Sequence, residues 1–303
     1  MTERVPDQVL RLDDGRRLGF CVWGDPAGTP LLFLHGTPGS RLMFSIGHAC
    51  ARALGLALVA PDRWGYGLSD APAEPALPRF AADMAALMDH LGHQRFAVAG
   101  VSGGGPYAAS VAAGLGARVT ALALISPVGP IADIGCGPSL HRFHRFCFTQ
   151  LSHYPLVTAA VFRFFRWTLN WSPHLAGQLA TLRGCRADKA VIAQPGTSER
   201  LFGSFSEGLR PGQRGPVTDI AVFSRPWGVD LDAISAPTRL WLGTADNAVP
   251  LIAARALADL IPGCRYEELA GEGHLWVATN YPLVLEWVRA VAHAGVPAAT
   301  VDR

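Results

Sequence analysis

The sequence predicts an α/β protein, with a mostly parallel central sheet flanked by helices and interrupted by a helical insertion. From Arg17 to Ile125, short apolar runs of strand length alternate with longer amphipathic runs. From about Pro127 to Ile234 this alternation stops, and helix-like segments rich in aromatics and Arg take its place. It resumes at Thr238 and continues to Ala294. Strands that are apolar throughout belong to sheets covered on both faces, which are the parallel ones. The expected organisation is therefore a first core segment at 1–126, an insertion at 127–234 and a second core segment at 235–303.

Each element follows from its own residues. Arg17–Trp23 and Leu31–Leu34 read as strands, the second ending at His35-Gly36. Arg41–Leu54 reads as a helix closed by Gly55, and Leu56–Ala60 as a buried strand stopped by Pro61. Phe80–Leu91 places Phe80, Met84, Leu87, Met88 and Leu91 on one helical face. Phe96–Val101 is the next strand, followed by a helix at Tyr107–Leu115 and a strand at Ala121–Ile125. In the insertion, Leu140–Leu151, Pro155–Trp171 and Ser198–Leu209 read as helices. The second core segment adds a strand at Thr238–Leu242, a helix at Leu251–Ile261, an apolar strand at Arg265–Leu269 and a closing helix at Pro282–Ala294.

Composition narrows the function. With 303 residues and half of them hydrophobic, the chain is long enough for one large core plus an insertion. A net charge of +2 gives no reason to expect nucleic acid or an anionic membrane surface as partner. The six cysteines are scattered, without a CxxC pair or zinc-like spacing, so no metal is expected. The opening MTERVPDQVLRLDDG is not a signal peptide, so a cytoplasmic protein is expected. The uncharged stretch from Phe96 to Ala117 is long enough to span a bilayer, but four glycines and Pro106 break it, and no span is expected.

The chemistry starts at Gly100-Val101-Ser102-Gly103-Gly104, a G-x-S-x-G between an apolar strand and a helix. A sharp strand-to-helix turn lifts the serine hydroxyl clear of the sheet, and the backbone passes close on both sides, which demands small neighbours. The same turn presents the Gly103 N–H to a developing oxyanion. The loop His35-Gly36-Thr37-Pro38-Gly39-Ser40 follows another strand, and its Thr37 N–H is the expected second donor. His35 reads as a residue that ties down this loop.

A serine hydroxyl needs an adjacent base. Where the nucleophile sits on such an elbow, the chain order is nucleophile, acid, base. Of the ten histidines, His274 and His293 lie late enough. His274 sits in a loop after a strand, His293 on the closing helix, so His274 is the expected base. Asp246, in Gly243-Thr244-Ala245-Asp246 just past a strand, is the expected acid, with Asp133 as its competitor.

Taken together, HGTPGS at 35–40, PDRWGYGLSD at 61–70, GVSGGG at 100–105, GTADNAVP at 243–250 and GEGH at 271–274 resemble the α/β-hydrolase family. The resemblance covers both core segments. It implies Ser102, Asp246 and His274 as catalytic triad, Thr37 and Gly103 as oxyanion hole, and a helical lid formed by 127–234. Relatives often have Pro or Gly where Trp64 stands, so Trp64 is expected either to narrow the pocket mouth or to pack against the insertion. Val101, beside the nucleophile, is expected to border the substrate.

The expected function is hydrolysis of a carboxylic ester, lactone or thioester through an acyl-Ser102 intermediate, without metal or organic cofactor. The same triad serves an aminopeptidase, a carbon–carbon bond hydrolase or an acyl-transferring or cyclising tailoring enzyme, and the fold also serves as a ligand receptor. The partner is a small acyl substrate, and the chain is a monomer or homodimer. The aromatics Phe143, Phe146, Phe148, Phe162, Phe164, Phe165, Trp167 and Trp171 suit an apolar lid or simple packing onto the core. Arg142, Arg145, Arg163 and Arg166 read as a solvated face rather than an anion clamp. Glu199 and Glu207 are the residues that would capture a substrate amine.

Overall fold

The computed structural model describes residues 5–180, 182 and 184–294. The elements in chain order begin with β1 (Gln8–Arg11), β2 (Arg17–Gly24) and β3 (Thr29–Leu34), followed by α1 (His48–Ala53) and β4 (Leu56–Pro61). They continue with α2 (Leu77–His90), β5 (Phe96–Val101), α3 (Gly105–Leu115) and β6 (Val119–Ile125). The insertion contributes α4 (Arg142–Arg145), α5 (Pro155–Trp171), α6 (Pro173–Ala180), α7 (Arg186–Ile192), α8 (Thr197–Gly208) and α9 (Arg214–Phe223). The chain closes with β7 (Thr238–Gly243), α10 (Leu251–Asp259), β8 (Arg265–Leu269) and α11 (Tyr281–Ala294). Between β6 and β7 the described residues contain no strand.

The eight strands form one sheet in the order β1-β2-β4-β3-β5-β6-β7-β8. β1 pairs antiparallel with β2 and β2 antiparallel with β4, and every later pair is parallel. β4 and β5 are buried at every position, as strands covered on both faces must be. Side chains of the central strands β3, β5 and β6 alternate between two cores. Leu32, Leu34, Val98 and Leu122 point toward α2, α3 and α10, where Phe80, Tyr107 and Leu257 meet them. Leu31, Phe33, Ala97, Ala99 and Val101 point the other way, toward Phe44, Val284 and Leu285. The chain leaves β3 for β4 on one side and returns to β5 on the other. This reversal opens a crevice at the carboxyl ends of β3 and β5, the place where such sheets bind ligands.

Several elements depart from expectation. Arg41–Gly47 is a 3₁₀ segment, and only His48–Ala53 is α-helical. The expected helix at Leu140–Leu151 is broken into α4, a π-helical turn at Phe146–Gln150 and a 3₁₀ turn at Leu151–His153. There the Thr149 hydroxyl donates to the Arg145 carbonyl at 2.6 Å, a side-chain bond that competes with the helical ladder. β1, α6, α7 and α9 were not expected. β8 is a half-exposed edge strand rather than an apolar one, with Glu267 ion-paired to Arg239 of β7. Among the described residues, no helix is long and apolar enough to cross a membrane, and Phe96–Ala117 forms β5, the turn after it and α3.

The insertion packs tightly onto the core loops. A Cβ on Gly208 of α8 would lie 2.0 Å from the Gly39 carbonyl oxygen, and one on Gly215 of α9 would strike the Tyr66 ring at 2.7 Å. The Ser40 N–H donates to the Ser204 hydroxyl at 3.1 Å, and Arg41 pairs with Glu207 at 2.8 Å. Glu207 thus holds the core and is not placed to receive a substrate amine. Lys189, the chain's only lysine, is exposed on α7.

Candidate active site

Ser102 sits where β5 turns into α3, with φ at +53°, a left-handed conformation that L-residues rarely adopt. The residues two positions before and after it must be glycine. A Cβ on Gly100 would come within 2.5 Å of the Gly104 carbonyl oxygen, and one on Gly104 within 2.4 Å of the Leu34 carbonyl oxygen. This crowding aims the hydroxyl into the crevice beside β3.

Two later loops complete a hydrogen-bonded chain. His274, after β8, places Nε2 2.9 Å from the Ser102 Oγ, and its Nδ1 lies 2.7 Å from Asp246 Oδ2 on the loop after β7. The other carboxylate oxygen of Asp246 accepts the Ala248 and Val249 N–H groups at 2.8 and 3.3 Å. Burial opposes the charged form of both partners. Their mutual attraction, the hydrogen bond between them and the two backbone donors outweigh it for Asp246, which stays below the usual carboxylate value. Burial likewise opposes the imidazolium, but Asp246, and more distantly Asp188, hold His274 above the ordinary imidazole value. With Nδ1–H donated to Asp246, Nε2 is free to take the Ser102 proton. Asp133 is engaged elsewhere: its carboxylate accepts the Trp227 N–H at 3.2 Å.

Thr37 and Gly103 lie side by side and, with Ser102, line one cavity. A Cβ on Gly103 would lie 2.2 Å from Thr37 Oγ1, so the two residues touch. The first N–H groups of a helical turn have no partner inside it, and Gly103 lies in the turn Ser102–Gly104. The loop carrying Thr37 is held from below. His35 is wholly buried, with its Nε2 accepting the Arg63 N–H at 2.9 Å and its Nδ1 2.8 Å from the Gly36 carbonyl oxygen. Burial first, and then the Arg63 charge, keep it far below the ordinary imidazole value, so it stays neutral.

Sequence reasoning missed the centre of this scaffold. Asp219 of α9 is wholly buried and accepts five hydrogen bonds. Arg63 reaches it through both terminal nitrogens at 2.5 and 2.8 Å, Tyr66 and Tyr107 donate at 2.7 and 2.8 Å, and the Thr37 hydroxyl donates at 2.5 Å. Burial and the Asp219 charge push both phenols well above the ordinary tyrosine value, so both remain donors. A second buried carboxylate, Asp188 of α7, accepts the Leu275 N–H at 2.7 Å, next to His274. Arg63 lay in a motif the sequence offers, but no local spacing ties position 63 to 219 or 188 to 275.

A cavity of about 530 Å³ opens beside Ser102 and His274. Phe148, Phe162, Phe165, Phe202 and Phe223 supply much of its wall, and among the described residues no Arg or Lys lines it. Trp64 and Val101 are absent from the wall. Trp64 is buried against Phe80 and Tyr107, and its indole N–H donates to Asp83 at 2.8 Å. Val101 points into the opposite core because strand alternation sends it away from Ser102's side of the sheet.

Over 262 residues the chain is 27% identical to a 2-hydroxymuconate semialdehyde hydrolase of Pseudomonas putida, covering 82% of this chain and 81% of that protein. Over 138 residues it is 32% identical to a non-heme chloroperoxidase of Streptomyces lividans, a match spanning 41% of this chain and less than half, 45%, of the relative. Among solved structures, an alpha/beta hydrolase fold protein from Nakamurella multipartita superposes with a TM-score of 0.67 at 25% identity, covering 96% of this chain and all of that one. The family model for the alpha/beta hydrolase fold matches residues 29–281, which includes every strand from β3 to β8 and all three residues of the Ser102–His274–Asp246 chain. On that match, together with the sheet order and the serine turn, the chain belongs to the alpha/beta hydrolase fold family.

Proposed function

We propose that the protein is a serine hydrolase that cleaves a carboxylic ester, lactone or thioester through an acyl-Ser102 intermediate. The hydrogen-bonded line from Ser102 Oγ through His274 to Asp246, at 2.9 and 2.7 Å, carries this reading. His274 Nε2 takes the hydroxyl proton as Oγ attacks the acyl carbon, and Asp246 stabilises the imidazolium. The backbone N–H groups of Thr37 and Gly103 receive the oxyanion. His274 then returns the proton to the leaving group, and a water activated at the same nitrogen releases the acid. The insertion acts as the lid, supplying the aromatic wall of the cavity. A wall without Arg or Lys among the described residues favours a neutral, apolar acyl group.

A second reading has one observation behind it. The Pseudomonas relative, matched over most of both chains, is named for a semialdehyde, so serine-dependent cleavage of a carbon–carbon bond in such a substrate is the alternative. The same cavity wall weighs against it, because an anionic substrate would find no cationic partner among the described lining residues.

The test is labelling by a fluorophosphonate probe, followed by intact-mass analysis and peptide mapping, with wild type beside Ser102→Ala. One adduct on Ser102, absent from the variant, is expected, followed by turnover of p-nitrophenyl acyl esters. No adduct on a folded protein would reject the proposal and favour a ligand receptor. An adduct without turnover of esters or thioesters, but with turnover of a muconate semialdehyde, would favour the second reading.

A further inference from the structure

The near-neutral total charge conceals an uneven distribution. No Asp or Glu occurs between Asp133 and Asp188, while that stretch carries six arginines: Arg142, Arg145, Arg163, Arg166, Arg183 and Arg186. The rest of the chain then holds 20 basic residues against 24 acidic ones, so the positive excess is concentrated in this one part of the insertion. These charges have no counter-ion within their own segment.

α5 runs through the middle of it. At 3.6 residues per turn, Val157, Ala160, Val161, Phe164, Trp167 and Trp171 fall along one side of the helix. That side is open to solvent: Trp171 is 68% exposed, Phe164 55%, Val161 54% and Trp167 51%. The three rings stack in sequence, with centroids 5.8 Å apart for Phe164–Trp167 and 5.1 Å for Trp167–Trp171. The strip is continuous along the helix, unlike the scattered apolar residues of an ordinary surface. Arg163, also exposed, flanks it on the same helix, while Arg142 and Arg186, exposed on α4 and α7, add positive charge to the same segment of the chain.

We propose that this face of α5 docks the protein onto an anionic phospholipid surface, with Phe164, Trp167 and Trp171 entering the headgroup–acyl boundary, and Arg163 and the other exposed arginines of the segment drawing it to lipid phosphates. An aromatic face on an arginine-rich segment that has no acidic residue of its own is the composition that lies in the plane of such an interface. The same charges disfavour a second copy as occupant. A two-fold contact through this strip would set one arginine-rich, acid-free segment against another, and like charges face to face oppose association. Docking uses the side of α5 away from Phe162 and Phe165, which line the cavity, and needs no chemistry at Ser102. It therefore stands or falls independently of the proposed hydrolysis.

The experiment is co-sedimentation with large unilamellar vesicles, of phosphatidylglycerol mixed with phosphatidylcholine or of phosphatidylcholine alone, at low and high salt. The proteins are the full chain, Trp167→Ser/Trp171→Ser and Arg142→Gln/Arg163→Gln. Wild type is expected to sediment with the anionic vesicles, less so at high salt, and to blue-shift its tryptophan emission. The Trp variant is expected to lose binding by roughly ten-fold or more while labelling at Ser102 as wild type does. Each Arg removed is expected to weaken binding by roughly five-fold. Absence of wild-type binding to anionic vesicles overturns the proposal, as does binding that survives the Trp substitutions. A wild-type dimer that ignores vesicles and dissociates in the Trp variant would give the face to a second copy instead.

Discussion

At the residue scale, the Asp246–His274 pair dictates how activity and stability respond to pH. In the proposed reaction His274 must be neutral to accept the Ser102 proton, and its partner holds it above the ordinary 6.5. The acidic limb of the kcat/KM profile is therefore expected to have its midpoint above 6.5, and to move down in Asp246→Asn. That variant is also expected to lose roughly 10³–10⁴-fold in kcat through the wrong tautomer, while Asp133→Asn leaves kcat unchanged. A pH–rate series on the three proteins checks all of this. The stability effect has two limits. Asp246, lowered from 3.8 in the folded state, contributes stability that is present above that value and lost as pH falls through its folded pKa. His274, raised above 6.5, contributes stability present below that value and lost as pH rises through its folded pKa. The stability gap between wild type and Asp246→Asn is thus expected to be widest between about pH 4 and 6.5, as urea titrations across pH would record. The meeting of Ser102, His274 and Asp246 was legible in the sequence because each follows a strand inside a short local motif. Val101 misled because adjacency to Ser102 was followed and strand alternation was not, and Trp64 because a resemblance gives its position but not its partners, Phe80, Tyr107 and Asp83.

At the element scale, α7 and α9 do what no sequence motif announced. Each brings one buried carboxylate to a loop of the proposed machinery: Asp219 to the loop of Thr37, Asp188 to the loop of His274. Arg63 and Asp219 are 156 positions apart, and a partnership at that range leaves no periodicity to read. Gly215 and Pro216 near the start of α9 also disguise it as a turn. Asp219→Ala strands the Arg63 charge in a site that admits no water-exposed surface. Its expected cost is about 3–5 kcal/mol in chemical denaturation, with a loss of turnover exceeding that of a Thr37→Ser control. A variant as stable and active as wild type would show that the Thr37 loop keeps its place without α9.

At the scale of the whole molecule, the sheet was legible and the order of helices between β6 and β7 was not. Runs such as Leu56–Pro61 and Phe96–Val101 announce a buried parallel sheet by composition alone, whereas the antiparallel edge at β1 is only four residues long. The insertion depends on the core for its order: its own small apolar cluster is completed by Tyr66 of the core, and its buried acids find their partners there. Unfolding is accordingly expected as one transition, with equal calorimetric and van't Hoff enthalpies. Two resolved transitions would mean that the insertion is an autonomous unit.

The contact between Asp188 and the Leu275 N–H has a practical side. The next residue along α7 is Lys189, exposed and the chain's only lysine. An amine-selective fluorophore therefore meets a single side chain, one position from the carboxylate that grips the His274 loop. The natural sequence already carries an optical reporter site at that latch, where dye lifetime or quenching would follow the insertion lifting from the core in real time, with no engineered handle.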